Sequence, residues 1–358
     1  MIIRHIYWFT HYHSVCPSTR SRGEYPLKIL QEKYNITSAI VYPGYGLKNI
    51  VHFISVYLSI FFFRKRGSLL VIQKIFTNGF YANALKILLI IRKKNSLFDI
   101  DDAEYIRHSA KSLKFFILNC SAVSVGSSAL ERYALQFNNN VLLNTSPVKD
   151  HQYLKAQLSD KFTIGWVGDY GNGNERSYEF SHKRGLNELL FPIFRKLNIP
   201  FRLVLIGITR QQDIRKIREY FTVMDHIELI IPENIDWIDE DWLYHEISKF
   251  DIGLAPLINH EFNRAKSAYK VKQYLSCGIP VLASDVGENA NFILPGINGF
   301  LCNSPDDYYR HIMQFMDLDK VKYFEMSRNA YSQSPLFSTE KYCENLVNNF
   351  QALSGSKR

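Results

Sequence analysis

Several groups of charged side chains stand beside glycines, prolines or strand ends, and each suggests chemistry on an anion. The first lies in Lys266 to Asn289, KSAYKVKQYLSCGIPVLASDVGEN. Tyr269, Val271, Tyr274 and Leu275 recur at helical spacing, and Cys277-Gly278 stops the pattern, since glycine accepts the left-handed conformation that closes a helix. Arg264, Lys266, Lys270 and Lys272 cluster at the start of that helix. Free N–H groups and the helix dipole there favour negative charge, so the expected ligand is a diphosphate. A second basic group is His182-Lys183-Arg184-Gly185, with a solvated basic turn as its alternative. A third, Ser18, Arg20 and Arg22, sits in a polar stretch, His11 to Glu24, expected to be a loop after the first strand. Such loops line the ligand crevice of parallel sheets; a solvated basic turn is again the alternative. The fourth is acidic: Asp99, Asp101 and Asp102 end a strand. Three carboxylates this close need solvent, a cation or a substrate beside them. A metal-chelating DxD, a phosphatase nucleophile and a helix-capping cluster are the other readings.

The elements that must position these groups alternate between strand and helix, as in a parallel α/β sheet. Strands are expected at Ile2–Phe9, Thr37–Tyr42, Leu69–Gln73, near Asp99, at Ala122–Ser127 and at Val141–Leu143. A linker near 149–161 separates these from a second series. That series runs through Phe162–Val167, Phe201–Gly207, Ile227–Ile231, Phe250–Leu257, Val281–Ala283 and Phe300–Cys302. The loop Gly168 to Asn174 is rich in glycine but is neither a P-loop nor a GxGxxG turn. The domains expected are 1–150, 151–335 and a closing segment 336–358. Its helix, Glu340–Leu353, would carry Tyr342, Leu346, Phe350 and Leu353 on one face, with 354–358 frayed.

At 358 residues the chain is long enough for two cores. The net charge of +9 invites an anionic partner, but no zinc spacing, RNP pattern or basic zipper speaks for nucleic acid. Five scattered cysteines without a CxxC suit reduced thiols and a cytoplasmic location. Residues 50–63, IVHFISVYLSIFFF, are nearly all apolar and lead into Arg64-Lys65-Arg66. Such a helix fits the core of a domain, a surface that dips into a membrane (contact through 50–66), or a spanning segment.

Tyr274 to Gly287, preceded by the basic helix, resembles the nucleotide-sugar motif of glycosyltransferase family 4. Lys183-Arg184-Gly185-Leu186 is similar to that family's Lys-Gly-Leu turn, and Asp251-Ile252-Gly253-Leu254 to its Asp-Ile-Gly-Leu strand. The resemblance implies the GT-B architecture, two facing Rossmann-like domains with the active site in the cleft. It implies transfer of a sugar from a nucleoside-diphosphate donor to a carbohydrate or lipid-linked acceptor, with retention and with neither metal nor cofactor. Polysaccharide assembly at the inner face of the cytoplasmic membrane is the implied setting. Asp101, Asp102, Arg184 and Lys270 would be catalytic. Lys183, Arg184, Gly207, Lys266, Ser267, Lys270, Gln273 and Gly287 would bind the donor, and Ser18, Arg20 and Arg22 would meet the acceptor or a phosphate. The family's two glutamates fall at Ala265 and Gln273 here, and its arginine after the first glycine falls at Asp169. Those departures motivate a second reading, a binding or scaffold subunit without turnover; a nucleotide-sugar epimerase is a third.

Overall fold

A computed structural model describes residues 3–44, 46–77, 79–171 and 175–355, without the side chains of 175, 176 and 350–355. Ile2, the loop residues Asn172–Asn174, the faces expected of Phe350 and Leu353, and the tail 356–358 therefore lie outside the description. The chain divides into two compact units. The first comprises 1–149, 265–267 and 337–358, and the second 150–264 and 268–336.

The first unit is built on six parallel strands: β1 His5–Phe9, β2 Thr37–Val41, β3 Ser68–Gln73, β4 Ser96–Ile100, β5 Ala122–Val125 and β6 Val141–Leu143. Their order is β2-β1-β3-β4-β5-β6. Continuous apolar runs such as SLLVIQ in β3 are buried end to end, as strands covered on both faces must be. One core cluster gathers Ile6, Trp8, Leu30, Leu69, Val71, Leu97, Cys343 and Leu346. The sheet order changes direction between β1 and β3, so the loops after those strands open the crevice where α/β ligands bind.

Two expectations for this unit are corrected. The stretch His11 to Glu24 is not all loop: it turns helical at Pro17–Thr19, passes through a π turn at Arg20–Glu24 and continues as Tyr25–Tyr34. Pro17 sits at the helix start, where a missing N–H costs nothing. Asn35, left-handed at φ 53°, closes the run. The apolar segment is a helix, Leu47–Phe63, but only Val56 and Ile60 are buried, so it is no core helix. No helix among the described residues is long and apolar enough to cross a membrane.

The second unit holds β7 Thr163–Val167, β8 Phe201–Ile206, β9 Ile227–Ile230, β10 Ile252–Ala255, β11 Val281–Ser284 and β12 Gly299–Cys302. They are parallel in the order β12-β11-β10-β7-β8-β9, the doubly wound arrangement. Here the direction changes between β7 and β10. Asp251, fully buried, ties the starts of both strands: it accepts from Thr163 N at 2.7 Å and Ser159 N at 3.2 Å and pairs with Lys155 Nζ at 2.8 Å. At the other end the Tyr274 hydroxyl accepts from Val167 N at 2.9 Å and donates to Leu254 O at 3.1 Å. The helix Tyr269–Ser276 is thereby pinned across the switch point. The α/β fold of two Rossmann-like domains expected from the sequence is present.

Candidate functional site

In the second unit the pinned helix decides where the cations lie. Lys270 is four residues before Tyr274 and so on the same face. Its Nζ lies 2.8 Å from His182 Nε2. The lysine stem crosses the loop after β7: a Cβ on Gly168 would come within 2.4 Å of Lys270 Cε. Gly207, after β8, has φ +110°, and a Cβ there would stand 1.9 Å from Gly168 O. Only glycine permits both the conformation and the approach. The carboxyl ends of β7 and β8, Lys270 and His182 thus form one packed group.

His182, Lys183 and Arg184 lie in the first turn of a helix rather than in an open turn. Ser181 caps it, its hydroxyl accepting from Arg184 N. A π turn, Leu186–Leu190, follows directly. Lys183 reaches Asp213 Oδ1 at 2.6 Å and lies over the Tyr170 ring. Arg184 is partly exposed and donates to Glu188 Oε1 at 2.7 Å and Glu179 O at 3.1 Å. Gln273 is buried beside the Tyr244 hydroxyl. Gly287 turns at φ 66° just before the short helix Asn289–Phe292. Asp169 is exposed and accepts from Gly171 N at 2.9 Å.

The basic helix start is corrected in two respects. Lys272 is fully buried, with its Nζ 5.3 Å over the Phe292 ring, so it does not belong with the other cations. Ala268, left-handed at φ 56°, separates the helix from Ala265–Ser267, which are counted with the first unit. There Ser127 Oγ donates to Ala265 O at 2.7 Å, and Ser267 Oγ lies 3.3 Å from Ser146 Oγ.

The acidic group belongs to the first unit, and every carboxylate in it has a cation. Asp99 takes Arg22 in a two-pronged pair, with Nε at 2.9 Å and Nη2 at 2.6 Å. Arg22 also donates to Asn144 O at 2.8 Å, and Tyr342 lies over it at 5.3 Å. Burial works against this charge, but Asp99 outweighs it and raises the Arg22 pKa. Arg22 is therefore corrected from a loop cation to the centre of a buried network. Arg20 is also buried, donating to Ser14 O and, at 3.0 Å, to Val15 O, while the Ser18 carbonyl accepts from Gln73 Nε2 at 2.8 Å.

Sequence reasoning missed the residue that organises the rest. Lys74 immediately follows β3, at the carboxyl edge where the sheet order switches, and holds a left-handed φ of 56°. Its ammonium is buried against Asp101 at 3.0 Å, against Asp102 and, at 3.7 Å, against Glu104. Burial opposes the charge, yet the three carboxylates hold its pKa well above that of a free lysine. Asp101 is pushed up by burial, whereas burial of Asp102 is overcome by Lys74 and then Lys266, which hold it down. His11, packed on Phe76 at 4.3 Å, is held neutral with its pKa lowered to about 4, by burial first and then by Lys74 and His108. One ammonium among three carboxylates leaves a polar, acid-rich floor suited to hydroxyls. The signal for Lys74 was its place directly after an apolar strand. The helix at Glu104–Arg107 has no side-chain cap, so the acidic run is not a capping cluster.

Residues 161–317, which contain β7 to β12, match the family model described as glycosyl transferases group 1. Among proteins of curated function none matches the chain. In fold it is similar to sucrose-phosphate synthase from Thermosynechococcus elongatus, with a TM-score of 0.70 at 12% identity over 99% of this chain and 100% of that one. HepE from Anabaena in complex with UDP and glucose gives 0.65 at 13% identity over 98% and 100%. A glycosyltransferase from Rickettsia africae gives 0.67 at 13% over 98% of both chains. At these identities the likeness shows the fold.

Proposed function

We propose, from the match of residues 161–317 to the group 1 glycosyl transferases, that the chain is a glycosyltransferase that moves a sugar from a nucleoside diphosphate to an acceptor hydroxyl. The observation that carries the proposal is the packed group of Lys270, His182, Gly168 and Gly207 at the carboxyl edge of β7 and β8 within those residues. In this reading Lys270 and Arg184 take the diphosphate leaving group and stabilise the charge that grows on it. Lys183 joins them only by leaving Asp213. Gln273 holds the ribose, and the loops at Gly207 and Gly287 approach the base and the donor. In the first unit Asp101, Asp102, Lys266 and Ser267 face the sugar or the acceptor, Lys74 holding the two aspartates in place. We take UDP as the first donor to test, because HepE is crystallised with UDP and glucose. Retention, independence of metal, a carbohydrate or lipid-linked acceptor and a cytoplasmic role in polysaccharide assembly belong to the same proposal.

The test is release of nucleoside diphosphate from UDP-, GDP- and ADP-sugars by the purified chain, with and without chelator. Lys270→Met should weaken nucleoside-diphosphate binding by ~1.5–3 kcal/mol, the worth of a charge-assisted hydrogen bond, and leave the nucleoside nearly unaffected. Equal losses for both ligands would move the diphosphate elsewhere. Ala265 and Gln273, in place of two carboxylates, favour one other reading: binding without turnover. Tight nucleotide binding with no release from any donor would select it.

A further inference from the structure

Between Glu32 and Asp99 the chain contains no acidic residue, yet it carries ten lysines and arginines from Lys33 to Lys94. Within this stretch the helices Leu47–Phe63 and Phe80–Ile91 pack on each other, Phe53 meeting Tyr81 at 5.2 Å between ring centroids. Each turns one apolar side inward: Val56 and Ile60 from the first, Ala82, Leu85, Leu88 and Leu89 from the second. Each turns a second apolar side outward. Leu47, Val51, Ile54, Leu58 and Phe62 recur in steps of three and four and are all exposed, and Phe80, Ile87, Ile90 and Ile91 are exposed on the neighbour. Leu47, Phe63 and Phe80 are about four-fifths exposed, at 78%, 81% and 83%. Single exposed apolar residues are ordinary, but nine of them on two adjacent helices mark a contact surface.

Four exposed cations follow the carboxyl ends of the two helices. Arg64 closes the first helix and donates to Arg92 O and Lys94 O at 2.6 Å and to Asn95 O at 2.8 Å. It ties together the loops that carry Lys65 and Arg66 on one side and Lys93 and Lys94 on the other, all four exposed. Burial lowers the Arg64 pKa to about 10, consistent with a structural place. Arg64 is thereby corrected from a lipid contact to the clasp that sets the other four.

We propose that this two-helix face is a docking surface for an anionic lipid bilayer. The apolar stripe enters the interface with the helices lying in its plane, and Lys65, Arg66, Lys93 and Lys94 meet the phosphates. The first helix has 17 residues, and no helix among the described residues is long and apolar enough to span. A second copy of the chain fits poorly: it would bring the same cations and, from this stretch, no carboxylate to meet them. The surface adds a partner to the transfer reading and stands on separate observations.

The experiment is co-sedimentation of the full chain with vesicles of phosphatidylcholine alone or mixed with phosphatidylglycerol, at low and high salt. The wild type should pellet with the anionic vesicles and lose most of that binding at high salt. Ile54→Asp with Leu58→Asp, both at exposed positions, should abolish pelleting at an unchanged melting temperature. Replacing Lys65, Arg66, Lys93 and Lys94 by serine should lower partition onto anionic vesicles at least tenfold, since each cation near such a surface contributes about fivefold. A wild type that stays in the supernatant with every vesicle overturns the proposal. So does a stable dimer that Ile54→Asp dissociates, because a second copy then covers the face. Donor turnover is measured on the same samples with a soluble acceptor. Transfer without pelleting removes the surface alone, and pelleting without transfer removes the reaction alone.

Discussion

At the scale of single residues, the first unit is governed by two buried cations with opposite margins for change. Arg22 meets one carboxylate in matched two-pronged geometry, and every remaining donor has a partner among Asn144, Ser146 and Ser124. Arg22→Ala leaves Asp99 buried without its cation, and should destabilise the protein by ~3–5 kcal/mol. Thermal melting should show this, and Arg22→Met with Asp99→Leu should recover most of it. Lys74 is outnumbered by its partners, so Lys74→Met should raise the pKa of Asp101, Asp102 and Glu104 together. Those groups then take up protons on folding, which makes the deficit largest near neutrality and smaller as pH falls towards the ordinary carboxylate range. Melting temperatures of variant and wild type at neutral and mildly acidic pH should converge; a gap that widens in acid would refute the shared-charge account. His11 works in the opposite sense. Its folded pKa of about 4 lies below the ordinary 6.5, so the unfolded chain binds the proton first as pH falls. Stability from this group is complete above about pH 6.5 and is lost between there and about pH 4. His11→Phe should flatten that part of the pH profile.

At the scale of elements, the second unit depends on close backbone approach and on one bridging hydroxyl. Gly207→Ala would put a methyl group 1.9 Å from Gly168 O at a φ of +110°, so the loops after β7 and β8 must separate. The expected result is a loss of more than ~1 kcal/mol of stability and weaker nucleotide binding, because the loop that supports Lys270 moves as well. Titration calorimetry and melting on the same variant would check both. Tyr274→Phe is subtler. It removes only the hydroxyl between Val167 N and Leu254 O, leaving a buried amide without its acceptor at a cost of ~1–3 kcal/mol. If instead the variant melts like the wild type, the bridge is not what holds β7 and β10 against the helix.

At the scale of the whole molecule, the sheets were readable and the polar interior was not. Strands such as β3 and β11 are built on short apolar runs, Leu69–Ile72 and Val281–Ala283, beside turn residues, so their existence and approximate bounds follow from local pattern. The cations that meet the carboxylates are set by pairings across long stretches of chain. Arg22 and Asp99 are 77 residues apart, and Lys74 and Asp102 are 28 apart. No periodicity records such a pair. Hence Arg22 read as a loop cation and Lys74 went unnoticed, although both stand beside strands that were found. The apolar helix Leu47–Phe63 misled for a related reason: hydrophobicity tells which residues avoid water, not whether the protein itself supplies the cover. A last consequence concerns the order of synthesis. The arginine network of the first unit is sealed by Tyr342, and Asn144 donates to that residue's carbonyl across 198 positions. A nascent first unit must therefore wait, its ion pair partly open to water, while the whole second sheet is made. Ending translation after Leu336 should leave a first unit that forms its strands but binds chaperones and is cut by protease near Arg22. Supplying 337–358 as a separate peptide should restore protection.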